Sequence, residues 1–191
     1  PRKSLLLAIN GGRCENTGTV MVKNIPVLTS DTLKFEEVMD NYKKVLTEIA
    51  RVYNEAMNII HYMHDKYYYE KAQMALVDTN RASTGLRCSR TFHCTRLIIG
   101  YQVCKSYCPP QRHRPDRRFD IEGEFPCFGN DNDKVDHLGV DLVYFFSEEL
   151  KKLPVYKNAR PTFIADHHLE RHVRKKTGAT PDGRAKGVAL L

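Results

Sequence analysis

Apolar residues recur in steps of three and four at Val38, Tyr42, Val45, Ile49, Val52, Ala56, Ile60 and Met63. That spacing keeps them on one face of an α-helix and predicts a helix over 33–63. Ser30, Asp31 and Thr32 offer N-cap oxygens, and Glu36 and Glu37 put negative charge on the first turn, where the helix dipole favours it. At 1.5 Å per residue the helix is about 45 Å long, which suits a larger enzyme better than a chain of this size. The pattern runs on through Ile59, Ile60, His61, Tyr62, Met63, His64, Asp65, Lys66 and Tyr67 into an Ala- and Met-rich turn ending near Asp78. A further helix over 135–153 rests on Leu138, Leu142, Val143, Phe146 and Leu150, with Lys151 and Lys152 at its C-terminal end and Pro154 as its stop.

Between these helices, 79–118 carries no sustained period of 3.6 or 2, and only Leu97, Ile98 and Ile99 read as core. A second irregular piece, 160–174, is rich in His and Arg (His167, His168, Arg171, His172, Arg174). Beyond it, Thr180-Pro181-Asp182-Gly183-Arg184 is a turn, with Pro presetting φ and Gly accepting a positive one. There is no internal repeat.

Charge changes this picture. The chain has 191 residues, 41% hydrophobic and 28% charged, ordinary values for a globular domain, so fibrous and wholly disordered classes are excluded. Its net charge of +7 is local: 81–118 holds nine basic residues against Asp116, a balance of +8 that leaves the remainder at −1. No apolar run approaches the roughly 18 residues of a membrane span, and 1–12 lacks the apolar centre of a signal peptide. We therefore expect neither membrane insertion nor export.

Candidate chemistry is weak throughout. Cys88, Cys94, Cys104 and Cys108 with His93 suggest zinc, but their gaps of five, nine and three residues do not form the tight pairs of a structural site. His168 and His172 are four apart without the Glu that follows the first His of a metalloprotease helix. Asn130-Asp131-Asn132-Asp133 opens like a calcium loop but lacks its later Gly and Glu, so a helix-capping loop is the better reading. The basic stretch 81–118, with Phe92, Tyr101 and Tyr107 for stacking, could hold nucleic acid, yet it carries no recognisable binding motif. His61 and His64 could ligate a metal, but beside Ile60 and Met63 they read better as packed, hydrogen-bonded histidines.

Several runs, in order, resemble pyruvate formate-lyase (formate acetyltransferase), a glycyl radical enzyme family. They are Ala8-Ile9-Asn10-Gly11-Gly12, the run from Ala56 to Tyr67 containing His61-Tyr62-Met63-His64-Asp65-Lys66-Tyr67, and Met74-Ala75-Leu76. They continue with Phe119 to Pro126, Phe128-Gly129-Asn130, Val140-Asp141-Leu142-Val143, Lys175-Lys176-Thr177-Gly178 and Thr180 to Arg184. The likeness covers 5–78, 119–158 and 175–188. The run from His61 to Tyr67 is specific to formate-lyases, whereas Thr180 to Arg184 is shared more widely among glycyl radical enzymes.

The resemblance implies an α/β fold, a slice of a ten-stranded α/β barrel from a homodimeric subunit several times longer, with 1–191 as an internal fragment of one catalytic domain. It implies conversion of pyruvate and coenzyme A to acetyl-coenzyme A and formate in anaerobic glucose fermentation. A protein glycyl radical, installed by an iron-sulfur, S-adenosylmethionine-dependent activating enzyme, passes to a cysteine whose thiyl attacks the pyruvate carbonyl. Homolysis then leaves an acetyl thioester and a one-carbon radical quenched to formate, and coenzyme A takes the acetyl group. No metal, membrane or nucleic acid is expected. The catalytic cysteine pair is expected before Pro1 and the radical glycine after Leu191, so no catalytic or cofactor-binding residue lies in this chain, which has no Cys-Cys dipeptide. The compartment implied is the cytoplasm in bacteria; eukaryotic relatives can be organellar. Another glycyl radical lyase, such as a 2-oxobutyrate formate-lyase, is the alternative within the family.

Departures concentrate in 79–118, where the family has small apolar residues, and in 160–174, where it has an apolar strand lining the substrate cavity. Because the likeness stops and resumes abruptly with length nearly conserved, both segments read as frame slips, with true divergence as the rival explanation.

Overall fold

The computed structural model describes residues 2–28, 32–69, 83–89, 105–107, 120–122, 133–158 and 160–166. It opens on a helix that the pattern of the sequence did not predict, α1 (Arg2–Ile9). Leu5, Leu6, Ala8 and Ile9 are buried, so this short helix is held by packing. It ends in Gly11 and Gly12, at φ 62° and 77°, where the Gly12 N–H donates to Leu7 O at 2.8 Å and closes the last turn. A tight loop follows, pinned by an antiparallel bridge between Arg13 and Val20, and Gly12 O then accepts from the N–H groups of Met21 and Val22.

The predicted long helix is present as α2 (Phe35–His64). Its start differs from expectation. Lys34, in extended conformation, occupies the N-cap with no side-chain bond, and Thr32–Leu33 forms a short strand, β1, in place of a cap. Glu36 and Glu37 do lie in the first turn. Val38, Met39, Tyr42 and Val45 are buried with α1, Val22, Ile25, Leu28 and Leu33 in the main core. Each such side chain contributes about 1.5–3 kcal/mol by leaving water. Asn41 crosses this layer, donating to Ala8 O at 3.2 Å and Pro26 O at 3.0 Å, so one amide ties α2 to both α1 and the loop after it.

The second predicted helix is α3 (Asp133–Lys151), two residues earlier at each end than the periodicity suggested. Leu142 joins the main core, and Leu150 packs on Ala50 with Tyr53, Phe146 and Leu153 around them. Glu149 also accepts a hydrogen bond from Lys152 just beyond the helix.

Strands appear inside both irregular segments. β2 (Ser83–Ser89) pairs in parallel with β5 (Arg160–Asp166) over seven residues, from Ser83 opposite Arg160 to Ser89 opposite Asp166. This corrects the reading of 79–118 and 160–174 as irregular at 83–89 and 160–166, the parts of those segments that pair. Pairing is made by the backbone and so does not require an apolar run, although Pro161, opposite Thr84, has no N–H to donate. β3 (Lys105–Tyr107) pairs antiparallel with β1 and with β4 (Asp120–Glu122), giving the order β1-β3-β4. None of the helices among the described residues is long and apolar enough to cross a membrane.

Candidate functional site

The His61-to-Tyr67 run lies where α2 passes into a single π-helical segment, Asp65–Tyr69. The Asp65 N–H is shared between His61 O and Tyr62 O, the fourth and third residues before it. Such irregular helix segments often sit at functional sites.

Four contacts hold this end of α2 to the turn after α3. Asn54 donates to Pro154 O at 2.8 Å, and Asn58 donates to the same oxygen at 3.0 Å. Asn58 Oδ1 in turn accepts the Tyr156 N–H at 2.9 Å. Lys157 Nζ lies 2.9 Å from Asp65 Oδ2, an attraction of charge at close range rather than a well-aligned hydrogen bond. The Tyr62 and Tyr156 rings meet edge to face, 6.2 Å apart at 84°. Lys66 Nζ sits 5.6 Å from the Tyr62 ring centre and 5.3 Å from that of Tyr67, and Lys157 Nζ 5.5 Å from Tyr156. Within this turn Lys157 holds φ 54° and ψ 30°, left-handed backbone that costs a side-chain-bearing residue about 1–2 kcal/mol. The surrounding bonds over-determine that conformation.

The helix face nearby is not as the sequence suggested. Val38 and Val45 are fully buried, but on the same stripe Val52, Ile60 and Met63 are 51%, 44% and 45% exposed. His61 is half-buried and His64 exposed, so only His61 approaches the packed histidine expected. The cover of α1 and 22–28 ends about halfway along α2, which the periodicity of one helix cannot reveal.

Cys14 is the one cysteine whose surroundings are described. Its thiol is held below the ordinary range first by the Asn16 N–H, then by the N–H and hydroxyl of Thr17, against burial and the Glu15 charge. Cys88 lies in β2; Cys94, Cys104, Cys108, Cys127, His93, His167, His168 and His172 lie outside the described residues, as do Phe92, Tyr101 and the turn at 180–184. Asp133 begins α3, while 130–132 lie outside them too. Among the described residues no three His, Cys, Asp or Glu side chains group so as to hold a metal. The arrangement at α2 can support and orient neighbouring structure. The sequence holds no Cys-Cys dipeptide.

A model of the pyruvate formate lyase-like family matches residues 2–93 and 116–165. The PFL-like enzyme TdcE of Escherichia coli (strain K12) is 38% identical over 197 positions, covering 97% of this chain and 25% of that protein. Among solved structures, a glycyl radical enzyme from Archaeoglobus fulgidus matches all of this chain and 27% of its own, with 15% identity and a TM-score of 0.69. A structure concerning 1,2-propanediol dehydration in Roseburia inulinivorans matches 98% of this chain and 28% of its own, with 18% identity and a TM-score of 0.68. The fold is thus a slice of the α/β barrel of glycyl radical enzymes, and the chain spans about a quarter of the length of these relatives. With three quarters of its residues matched by one family and a helical scaffold of the same fold, the chain belongs to the pyruvate formate lyase-like family of glycyl radical enzymes.

Proposed function

We propose that the chain is an internal part of a formate C-acetyltransferase, which converts pyruvate and coenzyme A to acetyl-coenzyme A and formate in anaerobic fermentation. The observation that carries this reading is the family match over 2–93 and 116–165, which contains the His61-to-Tyr67 run. In the parent enzyme the catalytic cysteine pair precedes Pro1 and the radical glycine follows Leu191. The chain itself contributes supporting helices and barrel wall, and is inactive alone. The parent works as a cytoplasmic homodimer, is charged with its glycyl radical by an iron-sulfur activating enzyme, uses coenzyme A as co-substrate, and needs no metal of its own. We also propose that 79–118 and 160–174 include frame slips. In support, the family match leaves 94–115 and the chain beyond 165 unmatched, although it takes in 79–93 and 160–165.

The test is anaerobic activation of the full-length parent, followed by assay of formate and acyl-coenzyme A from pyruvate and from 2-oxobutyrate. Preference for pyruvate supports the reading, and preference for 2-oxobutyrate moves it to the sister lyase. A radical-bearing parent that cleaves neither oxo acid overturns both. Resequencing the parent transcript across codons 79–118 and 160–174 decides the frame.

A further inference from the structure

We infer that Asn54, Asn58 and Asp65 form a polar clamp that positions strand β5, and through it the wall of the substrate cavity. They are positioning residues, not catalytic ones. The inference rests on the proposed function only where it links β5 to that wall.

The clamp is built from contacts between parts of the chain far apart in sequence. Asn54 and Asn58, one helical turn apart, both donate to Pro154 O, across 100 and 96 residues. Asn58 also accepts the Tyr156 N–H, so one amide grips the turn by both its donor and its acceptor. Asp65 holds Lys157 by charge, and the Tyr62 ring meets Tyr156 edge to face. Asparagine competes with the helix backbone for hydrogen bonds and is disfavoured inside helices. Two of them a turn apart, both reaching outward to one carbonyl, point to a task beyond helix formation.

What they fix is the entry of β5. The clamped turn, Tyr156–Asn158, ends two residues before the strand begins at Arg160. From there β5 runs parallel to β2 for seven residues. In a strand, a slip of one residue sends every side chain to the opposite face, so the point of entry decides the register of β5 on β2. Lys157, at φ 54° and ψ 30°, lies within the clamped turn, three residues before β5 begins.

The experiment uses the full-length parent. Hydrogen exchange read at the Tyr156 amide reports the clamp without reference to catalysis, while KM and kcat for the oxo acid, with radical content per subunit by paramagnetic resonance, report the cavity. Asn58→Ala is expected to speed exchange at Tyr156 and to raise KM or lower kcat by about tenfold, since misplacement of a binding wall is felt strongly in rate. Radical content should be unchanged. Lys157→Gly, which accepts the left-handed backbone, should stay near wild type in exchange and kinetics, whereas Lys157→Val should resemble Asn58→Ala. An unprotected Tyr156 amide in the wild type overturns the inference, as do Asn58→Ala kinetics within twofold of wild type. If Asn58→Ala does not fold, the Lys157 variants decide it, and equal behaviour of the two overturns it. A parent that cleaves no oxo acid would sink the proposed function, and the exchange data would then judge the clamp alone.

Discussion

Replacing the three left-handed glycines of the first loop by alanine, one at a time, should destabilise α1 in a steep order set by what each new methyl meets. Gly18, at φ 68°, has nothing within 4 Å of an added Cβ, so Gly18→Ala carries only the backbone cost, about 1–2 kcal/mol. Gly11, at φ 62°, would place the methyl 2.6 Å from Val27 Cγ2. Val27 is exposed and can leave its rotamer, which adds about 0.5–1.5 kcal/mol. Gly12, at φ 77°, is different in kind: its Cβ would stand 2.0 Å from Val22 O and 3.0 Å from Val22 C, both backbone atoms. Relief means moving a strand of chain whose Met21 and Val22 N–H groups bond back to Gly12 O at 2.8 and 3.1 Å. Losing both bonds costs about 1 kcal/mol each beyond the left-handed penalty, so Gly12→Ala should cost about 3–4 kcal/mol in all. Against a typical total of about 5–15 kcal/mol this is a large share. Native-state hydrogen exchange of α1 amides in the intact parent measures the local opening free energy directly. Equal protection in Gly12→Ala and Gly18→Ala would refute the reasoning.

Two further substitutions or titrations probe the helical layer. Asn41→Leu leaves Ala8 O and Pro26 O without the amide that both now share, and should lower stability by about 2–4 kcal/mol in urea unfolding, while an exposed control such as Glu36→Gln should change little. Glu149 is held below the ordinary carboxyl range, first by the hydrogen bond from Lys152 and then by that from Thr47, with burial opposing. Because its folded value is the lower one, its contribution is present above the unfolded value of about 4.3 and is lost as pH falls through the folded value. Exchange at the C-terminal end of α3 should therefore rise below that pH in the wild type and be flatter with pH in Glu149→Gln.

The long helices were legible because each carries an apolar stripe, and Pro154 marks a stop that no context can override. The start of α2 was misread because Ser30, Asp31 and Thr32 look like caps, whereas pairing of Thr32 and Leu33 with Tyr107 and Ser106 claims the backbone first. α1 was missed because eight residues give too few repeats for a period to show. β2 and β5 were illegible for a different reason: parallel pairing brings together segments whose own residues show no alternation, and only the partner strand makes them a sheet. The clamp did leave a trace, in asparagines at 54 and 58 inside a helix, but their shared target is named only by the fold. The bare half of the α2 stripe was invisible, since a spacing tells which residues share a face and not how far the neighbouring elements extend.

The distance along the chain between the two halves of the clamp has a consequence for the moment of synthesis. α1, the glycine turn and the first half of α2 lie within the first 50 residues and can close as soon as they leave the ribosome. Asn54 and Asn58 must wait for Pro154, which is 100 and 96 residues later. At about 5–20 residues per second the wait is about 5–20 seconds. For that interval Asn54 and Asn58 lack the carbonyl that they share in the folded chain, and the far half of α2 has no tie to the turn after α3. Slowing translation between codons 58 and 154 should lengthen that interval, and speeding it should shorten it.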